Sequence, residues 1–396
     1  MAGQESLLLL LPDPCLLKVL QCCAADDQRS LFSAARAHSR LHEAAVAALS
    51  SIAMVIFSPQ QLDSVLLYLG KHCRQIDSID LDAKGDGVFV LHQLPADLQL
   101  STLQLEDFHL QLQPCGGFQG VLGAAVEIAA LTQLRLGNCS LLDGEEELAA
   151  ALAQLPAGLQ HLSIDGLWID DDHPASFPSA VLTPLHMLTH LELADVRPTC
   201  SDPDGHFLQP LQAMTRLVHL RLSTDPPAHT FPASVVSGSL SLTFLTLSSC
   251  EIEPEILAGK TSLRHVSLSS CSVLGGAPGV RQLLAHLQEL QELTQLFMAS
   301  RFQEIHEDIP PATAFSALTA SSKLQHLDLN GCTLPSGVWQ HIFPANRQLP
   351  HLTSLDINGV GHLAEPPSPL TAAALSHAAL ACSFWTCGPC CAVHNS

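Results

Sequence analysis

LTHLELAD, residues 188–195, is followed 29 residues later by LVHLRLST, residues 217–224, and 25 residues after that by LTFLTLSS, residues 242–249. The shared phrase is L-x-x-L-x-L. It recurs as IDSIDL at Ile76, LSTLQL at Leu100, LTQLRL at Leu131 and LQHLSI at Leu159. Beyond Leu242 it returns as LRHVSL at Leu263, LTQLFM at Leu293, LQHLDL at Leu324 and LTSLDI at Leu352. These are eleven copies, spaced by 21 to 31 residues. The second and third leucines of a copy, such as Leu134 and Leu136, alternate with polar residues, which is the period of a strand. So short a strand cannot bury its own apolar face, so each copy must stack on its neighbours. The expected result is one parallel sheet with strands about 4.8 Å apart, each joined to the next by a return on the outer face.

Some returns read as helical. In GEEELAAALAQL, residues 144–155, Leu148, Ala151, Leu152 and Leu155 fall on one side. The shortest step, 21 residues from Leu242 to Leu263, leaves room for only a tight return. Phrase and period resemble the leucine-rich repeat family from Ile76 to Leu352 and beyond. The resemblance implies an α/β solenoid, a horseshoe of about eleven repeats over residues 76–365 with a parallel concave sheet and a mixed helical and irregular convex side.

Strand alternation sorts the remaining positions. One outward column of the concave face reads Ser78, Thr102, Gln133, His161, His190, His219, Phe244, His265, Gln295, His326 and Ser354. A second reads Asp80, Gln104, Arg135, Ser163, Glu192, Arg221, Thr246, Ser267, Phe297, Asp328 and Asp356. We expect a protein partner on this face. The candidate contacts are His161, His190, Glu192, His219, Arg221, Phe244, His265, Phe297, His326 and Asp328. Consecutive histidines on adjacent strands would repel if protonated together, which couples their titration.

The 396 residues carry 17 basic and 38 acidic side chains, a formal charge of −21. That balance repels phosphate backbones and excludes nucleic acid as the expected partner. Of the 14 cysteines, Cys139, Cys250, Cys271 and Cys332 share a slot just past the strand with Leu167, Val196 and Val360. A slot that exchanges Cys with Val and Leu is read as buried and reduced, which points to a reducing compartment. The expected location is cytoplasmic, with nuclear, cytoskeletal and axonemal sites as variants.

The opening MAGQESLLLLLPDPCLLKVL has no Lys or Arg before its leucines and is stopped by Pro12-Asp13-Pro14. It is therefore read as a helical module and not a secretory signal. Asp13 can cap a helix and Pro14 suits its first turn. No membrane span is expected, since no stretch of about 18 uninterrupted apolar residues occurs. Leu11, Pro12, Asp13, Leu16, Leu17, Val19 and Leu20 resemble the start of an F-box, and LFSAARAHSRLHEAA, from Leu31, resembles its closing helix. The F-box-like module is placed at residues 8–50 and a helical cap or connector at 51–75.

Such a pairing of modules implies a substrate-recognition adaptor of a cullin–RING ubiquitin ligase. Leu11, Pro12, Leu16, Leu17, Val19 and Leu20 would dock a Skp-type linker protein of the cullin complex, and the concave face would hold a protein substrate. The alternative is a cytoskeletal, ciliary or signalling scaffold whose first helices only cap the solenoid. No catalytic residue or cofactor is expected under either reading. DLDAKGDG at Asp80 is rejected as a calcium loop because Lys84 takes a ligand position. Residues 366–396 form an irregular tail whose Cys387, Cys390, Cys391 and His394 are too clustered to be read as a zinc site.

Overall fold

The structure is a computed structural model. It describes residues 11–26, 39, 41, 44–45, 50–72, 76–85, 88–95, 98–111, 130–142, 145–169, 173–198, 206–224, 230–298, 309–344, 349–357 and 360. The tail, its cysteine cluster and most of the expected second F-box helix lie outside these. By contacts the chain divides into a unit ending at Ala175 and a unit beginning at Ser176.

In the first unit, helix α1 (Asp13–Asp26) precedes strand β1 (Ser51–Ile56) and helix α2 (Pro59–His72). Strands β2 (Ser78–Ala83), β3 (Thr102–Glu106), β4 (Gln133–Leu141) and β5 (His161–Ile169) follow, with helix α3 (Glu145–Leu152) between the last two. All neighbouring pairs from β1 to β5 are parallel. Residues 51–75, read above as a helical connector, thus open with a strand. SSIAMVI is a degenerate copy of the repeat phrase: Ile52 and Met54 pair in register with Ile79 and Leu81. Leu49 opens this copy 27 residues before Ile76, so the repeat count from sequence is short by one.

The second unit carries β6 (His190–Pro198), β7 (His219–Thr224), β8 (Phe244–Ser248), β9 (His265–Ser269), β10 (Gln295–Phe297), β11 (His326–Asp328) and β12 (Ser354–Asp356). These too pair in parallel, each with the next. The rungs are tied where they begin. The Thr189 carbonyl accepts both Val218 N–H and His219 N–H, at 2.8 and 3.0 Å, and the Val218 carbonyl accepts Thr243 and Phe244 at 2.8 and 3.1 Å. The same two-donor step continues through Thr243, Arg264, Thr294 and Gln325.

Inward leucines make the core. Ile79, Leu103, Leu134 and Leu162 in the first unit, and Leu191, Leu220, Leu245, Val266, Leu296 and Leu327 in the second, are all buried. Each removes its side chain from water in a stack no single copy could form. Returns in the second unit are mostly 3₁₀, from single turns such as Ala233–Val236 and Pro254–Leu257 to the eight residues of His206–Ala213. The 30-residue step from Leu263 is long enough for helix α4 (Gly276–Gln288). Gly279 is required there, because a Cβ would overlap the Leu274 carbonyl oxygen.

One slot has a backbone role. Asp107, Asn138, Asp195, Ser249, Ser270, Gly166 and Gly331 sit seven residues after their copy's first apolar residue, and all have positive φ, between 48° and 71°. Small polar residues and glycine tolerate that conformation. The turn they make sends the next side chain inward. There the thiols of Cys139 and Cys271 donate to the carbonyls of Leu105 and Leu247, the last inward residue of the preceding copy. Phe108 fills the same slot and is buried, so the slot is not limited to small groups.

Candidate functional site

The outward column of the second unit forms a stack of rings. Parallel pairing puts His190, His219, Phe244 and His265 in register on four successive strands. At a strand spacing near 4.8 Å, unbranched rings with a shared rotamer stack face to face. His190 and His219 have centroids 5.5 Å apart and planes at 22°. His219 and Phe244 are 3.9 Å apart at 8°, and Phe244 and His265 are 4.0 Å apart at 5°. Phe297, from the neighbouring column, leans onto His265 at 5.2 Å and 39°.

Polar contacts hold the stack from its sides. Glu192 Oε1 lies 2.9 Å from His219 Nε2. That nitrogen has no aligned hydrogen-bond partner, so the two groups meet by proximity alone. Arg221, the register neighbour of Glu192, borders it. Thr189 Oγ1 lies 2.9 Å from His190 Nδ1. Gln295 Oε1 lies 2.7 Å from His265 Nδ1, and Thr246 Oγ1 3.4 Å from its Nε2. Burial pushes the His265 pKa below its ordinary value, the Gln295 contact opposes that, and nearby His219 adds to it. His265 is therefore held toward its neutral form.

The other expected residues distribute around this row. His326 and Asp328 lie on β11, in register with Gln295 and Phe297. Asp328 has its pKa raised by burial, with Asp356 adding and the Asn330 N–H opposing. His161 belongs to the first unit, where it continues the column Ser78, Thr102, Gln133. Sequence reasoning missed Gln295 and Thr246 as partners of His265, although both were in the outward columns. Among the described residues, no group of three His, Cys, Asp or Glu is placed to hold a metal ion. No described helix is long and apolar enough to cross a membrane.

The expected docking residues on α1 split into two sets. Leu16 and Leu20 are buried, 0 % and 2 % exposed. Leu11 and Leu17 are half-buried, while Pro12 is exposed and Val19 is 38 % exposed. The spacing of Leu16 and Leu20, one turn apart, points both to one helix face. Both are covered within the chain itself.

Comparison with solved structures places this architecture. An internalin from Listeria monocytogenes superposes with a TM-score of 0.52 at 13% identity, covering 90% of this chain and 93% of that one. A Leptospira interrogans leucine-rich-repeat protein matches with a TM-score of 0.44 at 17% identity, covering 82% of this chain and 88% of that one. The chain has a leucine-rich-repeat solenoid fold. No family model and no curated protein matches it.

Proposed function

We propose that this chain is a non-catalytic scaffold that binds a protein partner on the outward face of its second unit. The observation that carries the reading is the row His190, His219, Phe244, His265 and Phe297, held in contact ring to ring on an open sheet face. Half-buried aromatics on a rigid sheet lose little entropy on binding and supply large contact area. Glu192, Arg221 and Asp328 provide charge at the borders of the row, which sets register and partner choice. The test is to recover partners with the full chain and with Phe244→Asp, and to repeat it with Glu192→Lys and Arg221→Glu. Loss of a shared set of partners supports the placement. Retention of every partner by all three variants overturns it.

The finer reading is that the partner is a ligase substrate and that α1 docks a Skp-type linker. It rests on the F-box resemblance and on exposed Pro12, just before α1, and exposed Val19 beside half-buried Leu17. Val19→Asp and Leu17→Asp spare the buried Leu16 and Leu20, so they test docking without emptying the core. Binding of a purified Skp-type linker by the intact chain, lost in these variants, supports it. Absence of binding by the intact chain leaves α1 as a cap of the solenoid.

A further inference from the structure

The first unit carries a polar groove of about 650 Å³ unrelated to the ring row. Its walls come from four successive copies: Lys84 and Gly85 from one, Asp107 and His109 from the next, then Asn138 and Ser140, then Trp168. Buried Phe89 and Phe108 make the floor. At a strand spacing near 4.8 Å, the row from Lys84 to Trp168 is roughly 14 Å long.

A chain of hydrogen bonds fixes the upper end. Trp168 Nε1–H donates to Asn138 Oδ1 at 3.2 Å, and Asn138 Nδ2–H donates to Asp107 Oδ1 at 2.7 Å. Asp107 and Asn138 occupy the positive-φ slot, and Gly166 occupies it in the next copy with φ 69°. A Cβ at Gly166 would lie 3.1 Å from Trp168 Nε1 and 3.3 Å from Asn138 Oδ1. Glycine there lets the indole settle close to the backbone, with its N–H turned to the amide. A half-exposed tryptophan so held is not consumed by the core.

The chemistry of the lining selects the ligand. Lys84 is the groove's cation, and it is drawn onto Asp82 at 2.8 Å beside Glu106 and Asp107. A phosphate or other anion meets surrounding carboxylates, so anions are disfavoured. The Asp107 carboxylate already accepts the Asn138 amide and shares the groove with Lys84, which weakens its pull on a cation. What remains is a set of interleaved donors and acceptors, namely carboxylate, carboxamide, hydroxyl and imidazole, next to a flat apolar ring. Paired hydroxyls on a puckered ring match that set, because each hydroxyl both donates and accepts. The C–H face of such a ring packs on indole. The volume falls within the range of ordinary small-molecule sites.

We propose that this groove binds a neutral saccharide of two or three residues, with Trp168 as the stacking platform and Asp107, Asn138 and Ser140 as hydroxyl partners. The site is independent of the protein-binding row, so the two readings fail separately. The test uses the full chain on an array of neutral and anionic oligosaccharides, followed by fluorescence titration with any neutral glycan that binds. Binding of a neutral glycan is expected, with Trp168 emission changing on titration and Phe244→Asp leaving the affinity unchanged. Trp168→Ala and Asn138→Gly should each weaken it about tenfold or more. Asn138 is exposed and glycine tolerates its positive φ, so Asn138→Gly keeps the test sound if Trp168→Ala fails to fold. No neutral glycan bound, a preference for anionic glycans, or binding unchanged in both variants would overturn the proposal.

Discussion

The imidazole of His219 and the ring of Phe244 lie 3.9 Å apart with planes only 8° from parallel. Their Cα atoms are register partners on adjacent parallel strands, so the stack repeats the spacing of the sheet itself. Removing either ring breaks the row at its middle.

Phe244→Ala should therefore cost about 1 kcal/mol of stability, the scale of lost ring pairs at a half-buried site. It should also lower partner affinity by more than that cost implies, because the rings on each side lose their support. Denaturant midpoints and partner retention, measured on the same preparation, check both halves.

His265 makes stability depend on pH in a defined direction. Its folded pKa lies below 6.5, so between that folded value and 6.5 the unfolded chain binds more protons than the folded one. Its contribution is fully present above about 6.5 and is lost as pH falls through the folded value. His265→Phe should reduce the loss of stability between neutral and mildly acidic pH. Unfolding curves at the two pH values would show an unchanged slope if His265 were not responsible.

Lys260 is a buried lysine whose ammonium donates to the Ser237 carbonyl at 3.3 Å. Burial lowers its pKa below 10.5. The unfolded chain thus binds the extra proton between the folded value and 10.5, and stability should rise with pH across that window. Lys260→Met keeps the stem volume, removes the charge, and should stabilise by on the order of 1 kcal/mol at neutral pH. A lower melting temperature in the variant would contradict this.

The cysteine slot makes two predictions. Burial pushes the Cys139 thiol up to about 12, so it should resist alkylation in the folded chain and react once denatured. Cys271 packs with its sulfur 3.6 Å from that of Cys250. Cys271→Val should change stability by less than about 1.5 kcal/mol, as a near volume-conserving swap, whereas Cys271→Asp should cost several times more. Mass spectrometry of alkylated peptides and thermal melts read the two outcomes.

Much of the scaffold was legible in the chain. The L-x-x-L-x-L phrase placed the inward leucines of the copies it named and both outward columns, because strand alternation has a strict period of two. It missed the copy at Leu49, where Ile52 and Met54 stand for leucine. Leu16 and Leu20, read as docking residues, are buried within the chain, and an apolar helix face looks the same in sequence whether the chain itself or a partner covers it. The repeated Asp, Asn, Ser and Gly before the Cys slot are in hindsight the mark of a positive-φ turn.

Sequence alone determined the repeat, the parallel strands and which side chains face outward, because those follow from local periodicity and the need to bury leucine. Tertiary structure decided which outward side chains touch. The 3.9 Å ring contact joins residues 25 apart in sequence, and the Trp168–Asn138–Asp107 chain joins residues about 30 apart at each link. Such contacts depend on strand register, on rotamers and on a glycine at position 166 that leaves room for an indole. None of these leaves a periodic signal in the chain, since register is set between copies and not within them.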